Sequence, residues 1–295
     1  MTGNQKFEAC LHSVSYAGVW PGQARLTLES FLDKAAELGY GSVILMAKRP
    51  HLSLLDYGRE RRLRLREEMA ARGLRCAVIA GYNNFSGDAE HPEIPQREIQ
   101  LQHIGGLCRA ARDLGAPVVR VFTAYEHPSW PAHTLAGTLR EAAAMAADCG
   151  VTLGVQNHHD WASHYLTLRD LLEEVDHPNC RACFDAWTPA LQGDDLAEAA
   201  RVMAQWTVHT TAADYQRRPR FRYNPAQVNF EARTAAVQAV SMGRGMIDYR
   251  TFLRVLGEGG YRGVVAYEMC SPLLGGGSEE NLDRKAREFR EWLTA

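Results

Sequence analysis

No run of about 18 apolar residues occurs anywhere in this chain, so no segment of it reads as a membrane-crossing helix. Its opening, MTGNQKFEACLH, lacks the long apolar stretch of an export signal. A soluble cytoplasmic protein is the expectation. An excess of one charge is missing as well: the formal net charge is -2 and the pI is near 6.6. That balance argues against nucleic acid or an acidic membrane as the partner. The seven cysteines are odd in number and sit mostly in apolar runs such as CAVIAG and CFDAW, which reads as reduced core thiols. Cys180 and Cys183 have the CxxC spacing but lead into a strand, whereas the redox motif opens a helix. No GxGxxG follows the first apolar segment, which counts against an open dinucleotide-binding sheet.

What is there is a rhythm. The 295 residues are 46% hydrophobic and 23% charged, enough for one large core. FEACLHSVSY, YGSVILMA, LRCAVIAGY and APVVRVFTAY read as strands, each followed by a predicted helix: Gln23 to Leu38, Gly58 to Arg72, Pro95 to Leu114 and His133 to Cys149. The second half repeats it with VTLGVQNHH, CRACFDAW, WTVHTTAADY and GVVAYEMCS, and helices over Thr167 to Val175, Asp194 to Ala204, Asp248 to Glu258 and Ser278 to Leu293. Several helices stop at glycine just before the next strand. Eight such units predict an α/β fold, a (β/α)8 TIM barrel forming a single domain over 1–295. One connection is long, the loop 216–245 after strand seven, and at that length it is expected to be a lid or an interface.

Barrel enzymes build their sites at the C-terminal ends of the strands, where alternate residues face the axis. Thr152, Gly154 and Gln156 share one face of strand five, opposite Leu153 and Val155. Cys183 and Asp185 share a face of strand six, Thr207 and His209 one of strand seven opposite Val208, and Val264, Ala266 and Glu268 one of strand eight. Each inward row thus finishes in a ligand-type residue. A single Asp, His or Glu at a strand end is commonly a cap or a loop hydrogen bond, but four in phase on neighbouring strands predict a metal site. Oxygen donors with one imidazole suit Mn²⁺, Mg²⁺ or Co²⁺ better than a structural Zn²⁺.

The segments GVTLGVQNHH, CFDAW, VHTTAADY, GRGMIDY and AYEMCSP together resemble motifs of the xylose isomerase-like TIM-barrel superfamily, the sugar phosphate isomerase/epimerase group. The resemblance runs over essentially the whole chain. It implies metal ligands at Asp185, His209 and Glu268, with Gln156 where the family usually has glutamate. It also implies a divalent metal, Mn²⁺ first and Mg²⁺, Co²⁺ or Zn²⁺ as others, and a small carbohydrate as substrate. Family epimerases use two metal-binding glutamates as opposed bases. Here one is an amide, and Thr188 stands where the family has a histidine three residues after the strand-six aspartate.

An amide oxygen can ligate a metal but accepts no proton at ordinary pH. Proton transfer then falls to Glu268 or to a nearby histidine. His158, two residues on in the same parity, is the first candidate for an acid or base near neutral pH, ahead of His159, His12 and His127. Asn157 and Asp160 are expected to orient it or bind sugar hydroxyls. Trp20, Trp161, Trp187 and Tyr125 fall in predicted βα loops, where they stack on a ring or simply pack. Arg217, Arg218, Arg220 and Arg222, interleaved with Phe221 and Tyr223, read as a subunit interface or as an anion site with Arg217 reaching the substrate. LLGGGS is a phosphate cradle or a plain turn. Three functions follow: a keto-sugar isomerase or epimerase; a lyase on a keto-sugar, keto-inositol or 3-keto-glycoside, C-glycoside cleavage included; and a partner subunit or homo-oligomer docking through 216–245.

Overall fold

Short apolar strands cannot bury both faces without helices outside and one another inside, and this chain solves that by closing on itself. The computed structural model describes residues 7–87, 91–125 and 134–295. Eight parallel strands form the barrel: β1 (Ala9–His12), β2 (Ser42–Met46), β3 (Arg75–Ala80), β4 (Val118–Val121), β5 (Thr152–Gln156), β6 (Cys180–Cys183), β7 (Thr207–Ala212) and β10 (Val265–Tyr267). They neighbour one another in the closed order β1-β10-β7-β6-β5-β4-β3-β2.

The helices around them are α1 (Leu28–Glu37), α2 (Arg59–Ala71), α3 (Gln96–Leu114), α4 (Thr134–Asp148), α5 (Tyr165–Val175), α7 (Leu196–Met203), α8 (Tyr249–Glu258) and α9 (Glu279–Thr294). A ninth among the described residues, α6 (Trp187–Gln192), follows β6 where only a loop was expected. Local chemistry sets the ends. Thr27, Asp195, Asp248 and Ser278 cap α1, α7, α8 and α9 through their side-chain oxygens.

Strand alternation divides the interior into two cores. Leu153, Val155, Phe184 and Tyr267 point outward and join the large cluster under the helices, which holds Phe31, Leu107, Leu172, Phe252 and Phe289. Cys10, Ile44, Val78, Val118, Cys183 and Ala266 point inward and plug the barrel. Gly154 belongs to that inner row because nothing larger fits: a Cβ there would lie 2.4 Å from the Cys183 sulfur.

Two expectations need correction. Val208 does not oppose His209. Ala182 pairs with Thr207 but Cys183 with His209, so β7 carries an extra residue at this point; Val208 packs on the inner plug while His209 also stays buried. The second concerns the segment 216–245. Most of it is an antiparallel arm, β8 (Asp214–Asn224) with β9 (Asn229–Val240), paired from Asp214 and Val240 out to Asn224 and Asn229. Its outer part is exposed on both faces, so no burial pattern announced the strands. Asp214 clasps the base of the arm: its carboxylate accepts from the backbone N–H groups of Tyr215, Gly243, Gly245 and Ile247. Gly245 is pressed so closely on it that a Cβ would come within 2.1 Å of Asp214 Oδ1.

Candidate active site

The inward rows change character at their C-terminal ends. Above the apolar plug lie His12, Arg120, Gln156, Asp185 and Thr211, all buried, with Glu268 at the lip, its side chain 15% exposed. His209, read from the sequence as a ligand, lies a layer lower, level with Cys183, and borders a cavity at the opposite end of the barrel with Glu8, Arg75 and Val264. Asp185 is held from both sides. Asn157 donates to its carbonyl at 2.9 Å and accepts from its N–H at 2.7 Å, fixing the backbone. The carboxylate accepts from the Gln156 amide on one oxygen and from the Thr211 N–H, at 2.5 Å, on the other. Asn157 is therefore a positioning residue and not the substrate contact expected of it, because both ends of its amide are engaged and none of it is exposed. Thr188 adds a bond to the Asn157 carbonyl at 3.0 Å.

Glu268 faces His12, whose Nε2 is 3.8 Å from its carboxylate. His12 Nδ1 accepts from the Val14 N–H at 3.2 Å, so the ring proton belongs on Nε2, toward Glu268. The Cys270 thiol donates to the same carboxylate at 3.5 Å. Burial raises the pKa of Glu268, opposed by Arg120, Cys270 and Lys48. Burial pushes Asp185 up to about 8, against the Thr211 and Gln156 hydrogen bonds. His209, whose Nε2 lies 3.3 Å from the Thr211 hydroxyl, is pushed down to about 3 by burial and by Arg120. Burial, His159 and Arg120 lower His158 to about 3, so this ring is neutral near pH 7 rather than poised to titrate there.

A cavity of about 570 Å³ opens above this layer. Trp20, His158, Trp187, Tyr215, Glu268 and Cys270 are among its walls. His158 and Trp187, read from the sequence as site residues, thus meet at one cavity, their rings 6.1 Å apart. Arg217 does not reach it and lies exposed on the arm with Arg218, Arg220 and Arg222. Tyr125 is half exposed and bonds His159 at 2.8 Å, and Trp161 packs on the outer core. Asp160 accepts from the Thr123 and Ala162 N–H groups and braces its loop. His127 lies outside the described residues. LLGGGS is stitched to neighbouring chain: Asn281 donates to the Leu274 and Gly276 carbonyls, and the Gly277 carbonyl accepts from Ala24. Those bonds account for the turn. GRGMIDY likewise resolves into the clasp on Asp214 and the Asp248 cap of α8.

Sequence reasoning missed Arg120. Its guanidinium lies 4.2 Å from the Phe122 ring centroid and 4.9 Å from that of Tyr82, inside the barrel. The signal was a lone charge in APVVRVF, in phase with inward Val118. Cys270 and Tyr215 were also missed: they fall at the ends of the predicted strands GVVAYEMCS and WTVHTTAADY, where nothing marks them until the barrel brings them to the cavity.

Among the described residues no three His, Cys, Asp or Glu side chains are grouped tightly enough to hold a metal ion. By donor type Gln156, Asp185 and Glu268 still suit a hard or borderline divalent cation, while His209 lies a layer below them, level with Cys183. Gln156 Oε1 is buried without a partner, His209 is held neutral, and buried Asp185 and part-buried Glu268 are destabilised as anions in a way a cation would reverse.

The family model described as xylose isomerase-like TIM barrel matches residues 32–295. No curated protein matches the chain in sequence. Among solved structures, a xylose isomerase domain protein from Planctomyces limnophilus is 19% identical, with a TM-score of 0.68 over 98% of this chain and 96% of that one. D-psicose 3-epimerase from Clostridium cellulolyticum H10 is 16% identical, with a TM-score of 0.74 over 97% and 98%. The probable 3-DHS dehydratase from Bacillus anthracis is 14% identical, with a TM-score of 0.72 over 98% and 99%. At these identities the likeness speaks to the fold. Among the described residues no helix is long and apolar enough to cross a membrane.

Proposed function

Because the chain belongs to the xylose isomerase-like TIM-barrel family, we propose that it is a divalent-metal-dependent carbohydrate isomerase or epimerase that moves a proton on the carbon beside a ketone. The observation that carries this reading is Glu268, a carboxylate at the mouth of the barrel, open to the cavity and braced by His12 and Cys270. Burial raises its pKa, which strengthens it as a base toward a carbon acid.

Gln156, Asp185, His209 and Glu268 would hold the metal, Mn²⁺ first and Mg²⁺, Co²⁺ or Zn²⁺ as others. When bound, the ion polarises a ketone and its neighbouring hydroxyl. The protein's own groups divide the remaining work. Glu268 takes the proton from carbon. Gln156 supplies an oxygen without a second base, so its side of the substrate is served by His158, whose neutral ring donates or accepts a hydrogen bond across the cavity. Trp20, Trp187 and Tyr215 give the sugar apolar walls and shield the reacting carbon from water.

His158 also favours a second reading. Facing the same cavity as Glu268, it can hydrogen-bond the leaving group while the proton that Glu268 took from carbon passes to that group, so that it departs neutral as a C=C bond forms; the site is then a lyase on a keto-sugar, keto-inositol or 3-keto-glycoside. The exposed arm offers a docking surface for a homo-oligomer or a partner subunit, with Arg217, Arg218, Arg220 and Arg222 beside Phe221 and Tyr223.

Elemental analysis of the purified protein and of its Glu268→Ala and His209→Ala variants, followed by solvent-deuterium exchange into keto-sugars, tests the reading. About one metal per chain, lost in the variants, with exchange at the carbon beside the ketone, is the expected result. A wild-type protein that takes up no metal on reconstitution overturns it and makes the partner-subunit reading the one to pursue.

A further inference from the structure

Among the described residues twelve large hydrophobic side chains are left exposed, and only two of them, Leu63 and Ile99, lie on the outer helices α2 and α3. The others sit on the arm or on connections that follow barrel strands. Single exposed hydrophobics need no explanation, but apolar surface gathered at one end of a barrel marks a contact face.

The register of the arm sorts its share of that surface. Phe221 stands opposite Ala232 and Tyr223 opposite Phe230, with the Tyr223 and Phe230 rings 5.5 Å apart edge to face. Arg220 opposite Arg233 and Arg222 opposite Glu231 take the other side. The outer arm is thus apolar on one side and basic on the other, with Phe221 and Phe230 66% and 65% exposed. Glu231 answers Arg233 at 3.8 Å, but among the described residues Arg217, Arg218, Arg220 and Arg222 have no carboxylate partner. Two facing arginines destabilise a strand pair, and a two-stranded ribbon alone in water is marginal. Both costs fall when an apolar, acidic surface lies against the arm, because arginine side chains reach past the edge of so narrow a ribbon.

This chain carries such a surface itself. At the rim of the barrel Leu191 and Leu274 are 40% and 47% exposed. Acidic pairs, Asp194 with Asp195 and Glu279 with Glu280, open the helices that follow, α7 and α9, and among the described residues Asp195 and Glu280 form no ion pair. Five arginines against one glutamate between Arg217 and Arg233, in a chain of formal net charge -2, leave the barrel acidic. The arm does not fold back on its own rim, for its outer residues stand exposed on both faces.

We infer that the occupant of the arm is a second copy of this chain, each arm lying across the rim of the other barrel. This rests on the reading of the arm as a docking surface and names what docks there. An unlike partner would cover the arm or the rim, whereas a two-fold pair covers both on both chains. The outer arm is a strip about 25 Å by 11 Å. Two strips and the two surfaces they cover come to on the order of 1,100 Å², enough for a specific, reversible contact. Leu191 also borders the central cavity, so each arm passes at the cavity mouth of its neighbour.

Sedimentation velocity of the full chain, from about 1 to about 50 µM, tests this. Wild type should dimerise in that range, with Kd several-fold higher at about 0.5 M salt than at about 0.05 M. Phe221→Ser with Phe230→Ser, Arg220→Glu with Arg222→Glu, and Leu191→Asp should each raise Kd at least about tenfold. All change exposed residues, and unchanged thermal melts show that the fold is kept. Mixing the Phe221→Ser, Phe230→Ser chain with the Leu191→Asp chain should restore association, because both defects then fall in one contact and the other is intact. A wild type that stays monomeric throughout overturns the second copy and leaves the arm to an unlike partner. A dimer indifferent to both sets of arm substitutions overturns the docking reading as well. Arm variants that dissociate while Leu191→Asp does not, with no rescue on mixing, mean that arm meets arm and overturn the contact with the rim.

Discussion

The two ends of the same inward rows are built on opposite terms. At the lower end, Cys10, Ile44, Val118, Cys183 and Ala266 form a packed apolar plug in which even one methyl at Gly154 has no room. A few ångströms up the same strands the side chains are His12, Arg120, Gln156, Asp185 and Thr211, and satisfaction gives way to shortage. Seven buried side-chain atoms lack a hydrogen-bond partner among the described residues; Arg120 Nη1, Gln156 Oε1 and His158 Nδ1 are three of them, all around the barrel mouth. Proteins leave buried polar groups unmatched where a ligand is to match them. The lower end is matched within the fold, and the upper end carries unmatched polar atoms of the kind a ligand would match.

The sharpest way to break this comparison is to alter one residue at the upper end. Glu268→Gln keeps the shape and removes the base. Deuterium exchange into a substrate should fall by about 10³-fold with the melting temperature unchanged or raised. A parallel loss of stability would mean that Glu268 supports the fold. At the lower end Gly154→Ala should do the opposite, costing about 1–3 kcal/mol in a denaturant melt through overlap with Cys183, with metal content per folded chain retained.

Gln156→Glu probes the boundary between the two. A second carboxylate against Asp185 should destabilise the metal-free protein by roughly 1–2 kcal/mol, and added Mn²⁺ should restore the loss, measured by thermal melts with and without the ion. If the metal-free melt is unchanged, the amide was not relieving repulsion there. The smallest effect is expected outside both ends. Replacing residues 219–235 by an Asn-Gly turn between Arg218 and Ala236, which pair across the arm, should shift folding stability by no more than about 0.5 kcal/mol. A change in mass by light scattering in the same variant would identify the arm as the interface.

Much of this contrast was legible from the strands alone. A period of two placed Gln156, Asp185 and Glu268 on inward rows because the burial of Leu153, Phe184 and Tyr267 leaves no other phase. The phase failed at Val208, since a bulge depends on what the neighbouring strand pairs with, and that is not written in β7. Arg120 was in view as a charge inside an apolar strand, but its meaning needs the rings of Tyr82 and Phe122 beside it. The arm was read as a loop because strands exposed on both faces lose the alternation that betrays a strand. Pro219 and Pro225 punctuate it as they would a loop. Its sheet even sets Arg220 opposite Arg233.

The clasp on Asp214 has a consequence for how such a protein changes over generations. One carboxylate gathers both feet of the arm; Tyr215 and Ala239 beside it still meet the cavity and the core, whereas the outer residues of both strands stand exposed. Mutations, insertions or trimming in that outer part edit a cassette and leave the barrel and its cavity untouched. A lineage can thus re-address the protein to new neighbours while its cavity is inherited intact.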